Sequence, residues 1–563
     1  MSKKINNSLK ERQINYIENL IINDTNNIGQ EKFILLNNEA GMGKTTGTEK
    51  VLVKAAMQYN KKSILVRYSC DDGKESMERI NSIAGKEIAF AYNTETKDLL
   101  KEFEFNKYPI LIITHQKYKL LSKRCDRRRD YTKGRSILVI DEEIDIIDPI
   151  NISIKELADV EEKIHQLKNS YIIEIFNKIN KDIKEIFIPN RDINILYPQK
   201  NIVKQLQELI SFINANISLD DRNEINILVE ELNNLKYALN QISVIDNKII
   251  KSFNPKVDYW GLKTNLILDA CSHMNPLYKI RKNFVLHNQE RVFNYYNWTF
   301  NITNINSCRS SIKKADNYFK EIDKHLQELS KQEILVIGSK DIEENKTLSV
   351  NDNIKVAYLG NIVGKNDWRD LTQCYVILNP QIPFSQYILK YLFYAKDNID
   401  NSVLGDLKRR PYSKVYRFNN PILEQIRVSQ VAIDMYQGIK RINRANEKMA
   451  NIYVINHDQS IMDMLLKEFV GCKTNKYSLD VKYAISKAKE DYDKKRVERA
   501  YYTKFINLLK SLPTGRYSKN DLREKIGYEN KKNFNKEVLK KEAVINYCLD
   551  KSIEITARYI IIK

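Results

Sequence analysis

Cysteine is sparse in this chain and badly placed for chemistry. The seven residues, Cys70, Cys125, Cys271, Cys308, Cys374, Cys472 and Cys548, lie far apart, form no C-x-x-C pair and are odd in number. That excludes a disulfide framework and a cysteine-built metal site, and leaves buried, reduced thiols. Long apolar runs are lacking too. None approaches the roughly 20 residues that span a bilayer, which excludes a membrane-spanning protein. The polar start, Met1 to Asn7, has no apolar stretch of the kind a secretory signal needs, so a cytoplasmic site is expected. Internal repeats and low-complexity linkers are absent, and between residues 151 and 256 glycine almost disappears.

What is present in excess is positive charge. The chain carries 92 Lys and Arg against 72 Asp and Glu, a formal +20 with a pI near 9.2, which points to a polyanionic partner. Abundant Asn, Ile and Lys also fit an AT-rich genome, which explains part of the lysine content but not its placement. At 563 residues, with 42% hydrophobic and 29% charged, the chain has the composition of a globular protein of roughly three or four domains.

The most informative segment is Asn38-Glu39-Ala40-Gly41-Met42-Gly43-Lys44-Thr45, with Thr46 after it, behind the apolar run Phe33 to Leu36. A buried strand breaks into a glycine turn ending in Lys-Thr and is followed by a helix-like stretch from Glu49 to Tyr59. Gly41 and Gly43 let the backbone curl so that its N–H groups point inward. Lys44 then reaches the β and γ phosphates of a nucleotide, and the Thr45 hydroxyl ligates Mg²⁺. Asn38 departs from the G-x-x-x-x-G-K-[ST] pattern, in which glycine holds that position.

Short β-branched runs at Phe33–Leu36, Ser63–Val66, Ile110–Ile113 and Ile137–Ile140 alternate with polar helical stretches, the signature of a parallel sheet wrapped by helices. From about 151 to 256 apolar residues recur at helical spacing (Val160, Ile164, Leu167; Leu228, Leu232, Leu235, Leu239), which reads as a helical insertion. Such an insertion serves either as an exposed spacer or as an accessory element over a substrate path. Strand character returns at Leu266–Ala270. A second α/β region follows, with strands at Glu333–Gly338, Lys355–Tyr358, Tyr375–Leu378 and Ile452–Ile455 and a helix at Val428–Ile442.

Two distant segments complete the chemistry. Ser136 to Ile140 ends in Asp141-Glu142-Glu143, a strand tip carrying adjacent carboxylates. Asp141 is assigned to the magnesium shell, and Glu142 to the water that attacks the γ phosphate. In Gln437-Gly438-Ile439-Lys440-Arg441-Ile442-Asn443-Arg444 the two arginines share one helix face, where guanidinium groups neutralise charge on a transferred phosphoryl. Gln437 lies one turn earlier. A basic helix face taken alone is usually just solvated.

Together these motifs resemble the helicase and translocase motors of superfamily 2, in which two RecA-like domains sandwich ATP. The resemblance spans about Leu9 to His457, with its motifs in the expected order. It implies an α/β fold of two tandem RecA-like P-loop domains: residues 1–150 plus 257–285 with the helical insertion 151–256, then 286–460, then a basic, mostly helical C-terminal domain at 473–563 compatible with a winged helix. ATP and Mg²⁺ are the implied cofactors, with Thr45 and Asp141 on the metal and Lys44, Glu142, Gln437, Arg441 and Arg444 catalytic. Gln13 stands where an adenine-reading glutamine belongs, and Gly364 and Asp367, in a stretch resembling motif V, join residues 38–46 as nucleotide contacts. Arg67, Thr114, His115, Gln116, Asn366, Trp368 and Arg369 fall on segments that grip nucleic acid in the family.

The sequence departs from the family in two places. Motif II reads Asp-Glu-Glu-Ile, with Ile144 where DEAD-box and DEAH-box proteins have Asp or His. The insertion resembles that of the iron-sulfur helicases related to nucleotide-excision repair. Only Cys70 and Cys125 lie between motifs I and II, however, too few for a cluster, so neither Fe–S nor zinc is expected.

Positive charge concentrates in the tail, where residues 473–563 hold 23 Lys and Arg against 12 Asp and Glu. Helices are expected at Thr503–Ser511, Ser518–Ile526 (with Ser518 as N-cap) and Asn530–Tyr547, then a strand at Ile553–Ile562. Tyr501, Tyr502, Tyr517, Tyr528 and Phe534 serve equally as stacking platforms or as core. The run Lys123 to Arg129 suits phosphate contact or a solvated loop. The expected activity is ATP-driven unwinding of, or movement along, DNA in replication or repair; service to a mobile element rests on the low-GC flavour and compact motor alone. An RNA helicase and a nucleic-acid-binding scaffold stand as alternatives. A protein partner through the insertion or the C-terminal domain is also open, and no membrane contact is expected.

Overall fold

A computed structural model of the chain describes residues 7–23, 32–99, 102–187, 193–216, 222–329, 331–344, 348, 352–362, 367–412, 415–483, 500–531 and 533–563. Five parallel strands open the first lobe: β1 (Phe33–Leu36), β2 (Ser63–Arg67), β3 (Ala89–Tyr92), β4 (Ile110–Thr114) and β5 (Ile137–Asp141). All but β3 are continuous apolar runs, buried on both faces by flanking helices, as a parallel sheet requires.

The chain then leaves the sheet through β6 (Pro149–Ser153), β7 (Asn194–Leu196), β8 (Ser243–Asp246) and β9 (Ile249–Phe253), an antiparallel sheet in the order β6-β9-β8-β7. Four helices, Ile154–Gln166, Ser170–Ile186, Lys200–Asn216 and Arg222–Asn240, pack on it through their apolar stripes. The insertion is therefore helices on a small sheet instead of helices alone. Its strands of three to five residues are too short for a periodic signal, and the β8–β9 turn uses Asn247 and Lys248 at positive φ (50° and 62°) without a marker glycine.

Strands β10 (Thr264–Leu268) and β11 (Phe284–His287) return to the first sheet, completing the order β11-β1-β10-β5-β2-β4-β3. Because β11 pairs in register with β1 from Phe33↔Phe284 to Leu36↔His287, the lobe extends to His287 and not to the expected 285. The second sheet, also parallel, comprises β12 (Trp298–Thr303), β13 (Ile334–Gly338), β14 (Ile354–Tyr358) and β15 (Gln373–Val376). After the β16 (Arg409–Tyr412) and β17 (Val415–Phe418) hairpin come β18 (Ala450–Ile455) and β19 (Lys473–Lys476), in the order β14-β13-β15-β18-β12-β19. Strand β19 is polar and exposed, so composition placed it with the basic tail. Its backbone nevertheless pairs with β12, which moves the expected boundary at 473 further along the chain.

The lobes share apolar cores. Met42 of the first joins Val431, Met435 and Ile442 of the second in one cluster, and the helix Phe384–Ala395 of the second packs on Tyr259, Tyr278 and Phe284 of the first. The same helix meets the insertion, where Lys251 Nζ donates to Ser385 Oγ at 2.9 Å and Ser385 Oγ donates to Asp246 at 2.6 Å.

The other compact unit consists of residues 314–317 and 482–563. Its helices Tyr501–Ser511, Lys519–Lys525 and Glu542–Asp550 accompany a sheet of β20 (Gly515–Ser518), β21 (Glu554–Ile555) and β22 (Tyr559–Ile562). The helix expected from 530 to 547 is broken at Lys540 after a π-turn at Asn535–Leu539, and Ser518 makes no side-chain cap. Thr556 turns the expected terminal strand back on itself, bonding Tyr559 from both backbone and side chain. Tyr528 and Phe534 are core residues. No helix among the described residues is long and apolar enough to cross a membrane.

At the amino ends of the first sheet, buried Arg135 donates to five carbonyls, those of Tyr131, Ser63, Pro109, Phe105 and Tyr108. It ties β2, β4 and β5 to the 3₁₀ turn at Glu102–Lys107, and burial pulls its guanidinium down to about 10. Replacing it strands acceptors in the core. Arg135→Ala is expected to cost roughly 3–5 kcal/mol in a urea titration, since each buried unsatisfied carbonyl costs about 1–3 kcal/mol.

Candidate functional site

Parallel strands place their carboxyl ends on one edge, and the loops leaving β1, β2, β5 and β10 converge there on a cleft of about 420 Å³. Residues 40, 41 and 43–46 of the glycine turn form one wall; Tyr436, Gln437, Lys440, Arg441 and Arg444 of the second lobe form the other. The helix Lys44–Tyr59 begins inside the cleft, so its free N–H groups and positive dipole end face the space. Gly41 and Gly43 take φ of 90° and 89°, values that suit glycine.

Gly41 carries a second constraint. A Cβ there would stand 2.6 Å from the Arg444 carbonyl oxygen, so the glycine turn reaches the second lobe's backbone only because the position has no side chain. Arg444 is fixed from its own lobe, its N–H donating to the Arg369 carbonyl at 3.1 Å while Asn443 N–H donates to Leu371. Burial and the neighbouring Arg441 pull the Arg444 guanidinium down. Arg441, also buried, directs Nη2 to within 3.7 Å of Glu142 Oε1. Glu142 stands at φ 71°, its N–H donating to the Leu268 carbonyl at 3.2 Å, which turns its carboxylate off the strand axis. Non-glycine residues held there cost energy and concentrate at working sites.

Lys44 Nζ donates to the Leu268 carbonyl at 2.8 Å, and Thr45 Oγ1 donates to Asp141 Oδ2 at 2.9 Å. Glu143, adjoining the pair, has its carboxyl pushed well up by burial and by Asp269. It accepts from Asn275 Nδ2 at 3.0 Å and leaves the cleft to Glu142.

Several residues singled out in the sequence lie elsewhere. Arg67 ion-pairs with Asp141, lies 3.6 Å from Asp72 and lines the cleft. His115 is buried, donating Nε2–H to the Asp141 carbonyl at 2.9 Å, and burial lowers its affinity for a proton. The sheet order explains both, because β2 lies between β5 and β4 and the tips of all three meet. Thr114 spends its hydroxyl capping the helix His115–Lys123. Gln116 and Arg369 are exposed, Arg369 at the cleft's rim, and Trp368 packs against the second core. Asp367 is exposed and does not line the cleft; Gly364 and Asn366 lie outside the described residues.

Gln13 and Asn38 explain one another. Asn38 Nδ2 donates to Gln13 Oε1 at 2.8 Å, and Gln13 Nε2 donates to the Glu290 carbonyl at 2.7 Å, both side chains being buried. The irregular first position of the loop is thus a tether to the N-terminal helix Asn7–Ile22, and Gln13 borders a separate cavity with Arg12, Tyr16 and His287. Glu39 and Met42 also turn away from the cleft.

No family model matches the chain, and no curated protein matches it. Among solved structures it is similar to Xpd4 of S. tokodaii, with a TM-score of 0.50 and 12% identity over 83% of this chain and 99% of that one. It is also similar to an apo structure of XPD (TM-score 0.48, 14% identity, 84% and 100% covered) and to S. cerevisiae Dbp5 bound to RNA and ADP BeF3 (TM-score 0.39, 9% identity, 87% and 92% covered). The chain shares the fold of Xpd4, an α/β fold with two parallel sheets in tandem.

The two loop glycines separate conformation from contact. Gly43→Ala adds a Cβ into open space and is expected to cost about 1 kcal/mol for its positive φ. Gly41→Ala also meets the Arg444 carbonyl and is expected to cost roughly 2–3 kcal/mol, read from denaturant midpoints.

Proposed function

We propose that this protein is an ATP-driven helicase or translocase that hydrolyses ATP between its two lobes and acts on nucleic acid, with single-stranded or forked DNA in replication or repair as the favoured substrate. The observation that carries this reading is a single cleft holding the glycine loop with Lys44 on one side and Arg441 and Arg444 on the other. Such a site is complete only when the lobes meet.

The backbone amides of residues 41–46 and Lys44 bind and orient the triphosphate. Thr45 and Asp141 suit Mg²⁺: they offer hard oxygen donors 2.9 Å apart, and although Arg67 and Thr45 hold Asp141 Oδ2, its Oδ1 is buried without a hydrogen-bond partner. When bound, the ion supplies positive charge to the phosphate oxygens. Glu142 takes the proton of the attacking water, and Gln437 holds that water in line. Arg441 and Arg444 neutralise charge on the transferred group, a role worth roughly 10³–10⁵ in rate in related chemistry. Gln116 and the exposed segment around Arg369 are the proposed nucleic-acid grips of the motor. The C-terminal unit, nine of whose Lys and Arg lie among residues 519–551, adds sequence-independent phosphate contacts.

The test is ATP turnover by the full chain with single-stranded DNA, duplex DNA or RNA across a salt series. Stimulation by nucleic acid that weakens steeply with salt is expected, together with loss of turnover in Lys44→Ala and Glu142→Gln. Undiminished turnover in both variants contradicts the assignment, and stimulation by RNA alone replaces DNA with RNA as substrate. Strand displacement is scored separately, since a translocase hydrolyses ATP without unwinding.

A further inference from the structure

Beside the phosphate loop runs a buried ionic chain that none of these roles uses. Glu39 contributes nothing to the cleft wall. Its Oε2 accepts from the backbone N–H of Val292 at 2.9 Å and of Phe293 at 3.0 Å, and its Oε1 accepts from the Tyr295 hydroxyl. That hydroxyl in turn accepts from Lys440 Nζ at 3.1 Å. Lys440 is 1% exposed, and its ammonium faces the rings of Phe293 and Tyr295 at 4.9 Å and of Trp298 at 5.5 Å. A phenol has one proton to give, so the chain has one direction: ammonium to phenol, phenol to carboxylate.

The placement gives the chain its meaning. Glu39 lies two residues before Gly41 in the phosphate loop. Val292, Phe293 and Tyr295 belong to the segment between β11 and β12, the covalent connection of the two sheets. Lys440 caps the helix Pro421–Ile439 and directly precedes Arg441. Buried ionic pairs seldom stabilise a fold better than apolar residues of the same volume, whereas they fix one arrangement among several. Three parts that must keep register for hydrolysis are thus joined through two side chains of opposite charge and a phenol.

We infer that Glu39, Tyr295 and Lys440 form a positioning relay that sets the phosphate loop, the inter-lobe connection and the arginine turn in the one register in which Arg441 and Arg444 face the loop. The catalytic consequence rests on the ATPase reading above. Lys440 holds its charge at a cost: burial pulls it down to about 8, with Glu39 opposing that pull and Arg444 and Arg291 adding to it, and Tyr295 is kept neutral by its own burial. Between about pH 8 and the ordinary lysine value of 10.5 the folded protein holds a neutral Lys440 while the unfolded chain still binds the proton, so stability rises with pH. Over that window the relay loses its cation. Turnover is then expected to fall while stability rises, opposite slopes that a merely structural lysine does not produce.

The experiment uses the full chain, with Lys440→Met to keep volume, Glu39→Gln to keep shape and Tyr295→Phe to remove the hydroxyl. Steady-state kcat and KM, affinity for a fluorescent ATP analogue, and thermal unfolding from about pH 7 to 10 are measured on each, a range bracketing the Lys440 titration. For Lys440→Met and Glu39→Gln, kcat is expected to fall by about tenfold or more with analogue affinity within about threefold, as misplacement of a reacting group predicts. Tyr295→Phe is expected to follow, and Lys440→Met to lose both pH slopes. A wild type that turns over ATP beside a Lys440→Met variant with unchanged kcat overturns the relay and leaves the ATPase reading standing. No turnover in the wild type removes the ATPase reading instead. The relay is then judged on unfolding, where an unchanged pH slope in Lys440→Met overturns it.

Discussion

Only a residue without a side chain lets the loop at 38–45 touch the backbone of Arg444, and the rest of the cleft follows from that approach. With Gly41 pressed against the Arg444 carbonyl, Arg441 comes within 3.7 Å of Glu142, and the helix starting at Lys44 faces guanidinium groups across a space wide enough for a triphosphate. Each lobe holds its half firmly. Lys44 and Thr45 are fixed by Leu268 and Asp141, and Arg444 by Arg369.

Charge in the cleft is organised by the parallel strand tips. Asp141 is shared by Thr45 and Arg67, while His115 holds its backbone from beneath. Around the cleft the lobes are joined by apolar side chains, Met42 entering the second core and the helix Phe384–Ala395 lying on the first. Opening therefore exposes apolar surface at roughly 25 cal/mol per Å², which biases the lobes toward contact.

Much of this was legible in the sequence. The glycine turn, the carboxylates ending β5 and the paired arginines each carry a local pattern tied to one chemistry, and runs such as Ile137–Ile140 announce buried parallel strands. What escaped depends on sheet order or on distant partners. The places of Arg67 and His115 beside Asp141 were hidden because nothing local says that β2 adjoins β5. Gln13 and Asn38, 25 positions apart, had no visible relation until their amides met. Lys440 sat inside a recognised stretch yet gave no sign that it points into aromatic rings instead of solvent. Strands β6 to β9 were too short and β19 too polar for periodicity to find them.

The central claim is that one site is assembled from two lobes, and the arginines test it most directly. With Arg441→Ala and Arg444→Ala, affinity for a non-hydrolysable ATP analogue and single-turnover hydrolysis are measured side by side. The split site requires analogue affinity to stay within about tenfold of wild type while hydrolysis falls by about 10³ or more. Hydrolysis unchanged in both variants would contradict it, and would confine the chemistry to the lobe that carries Lys44.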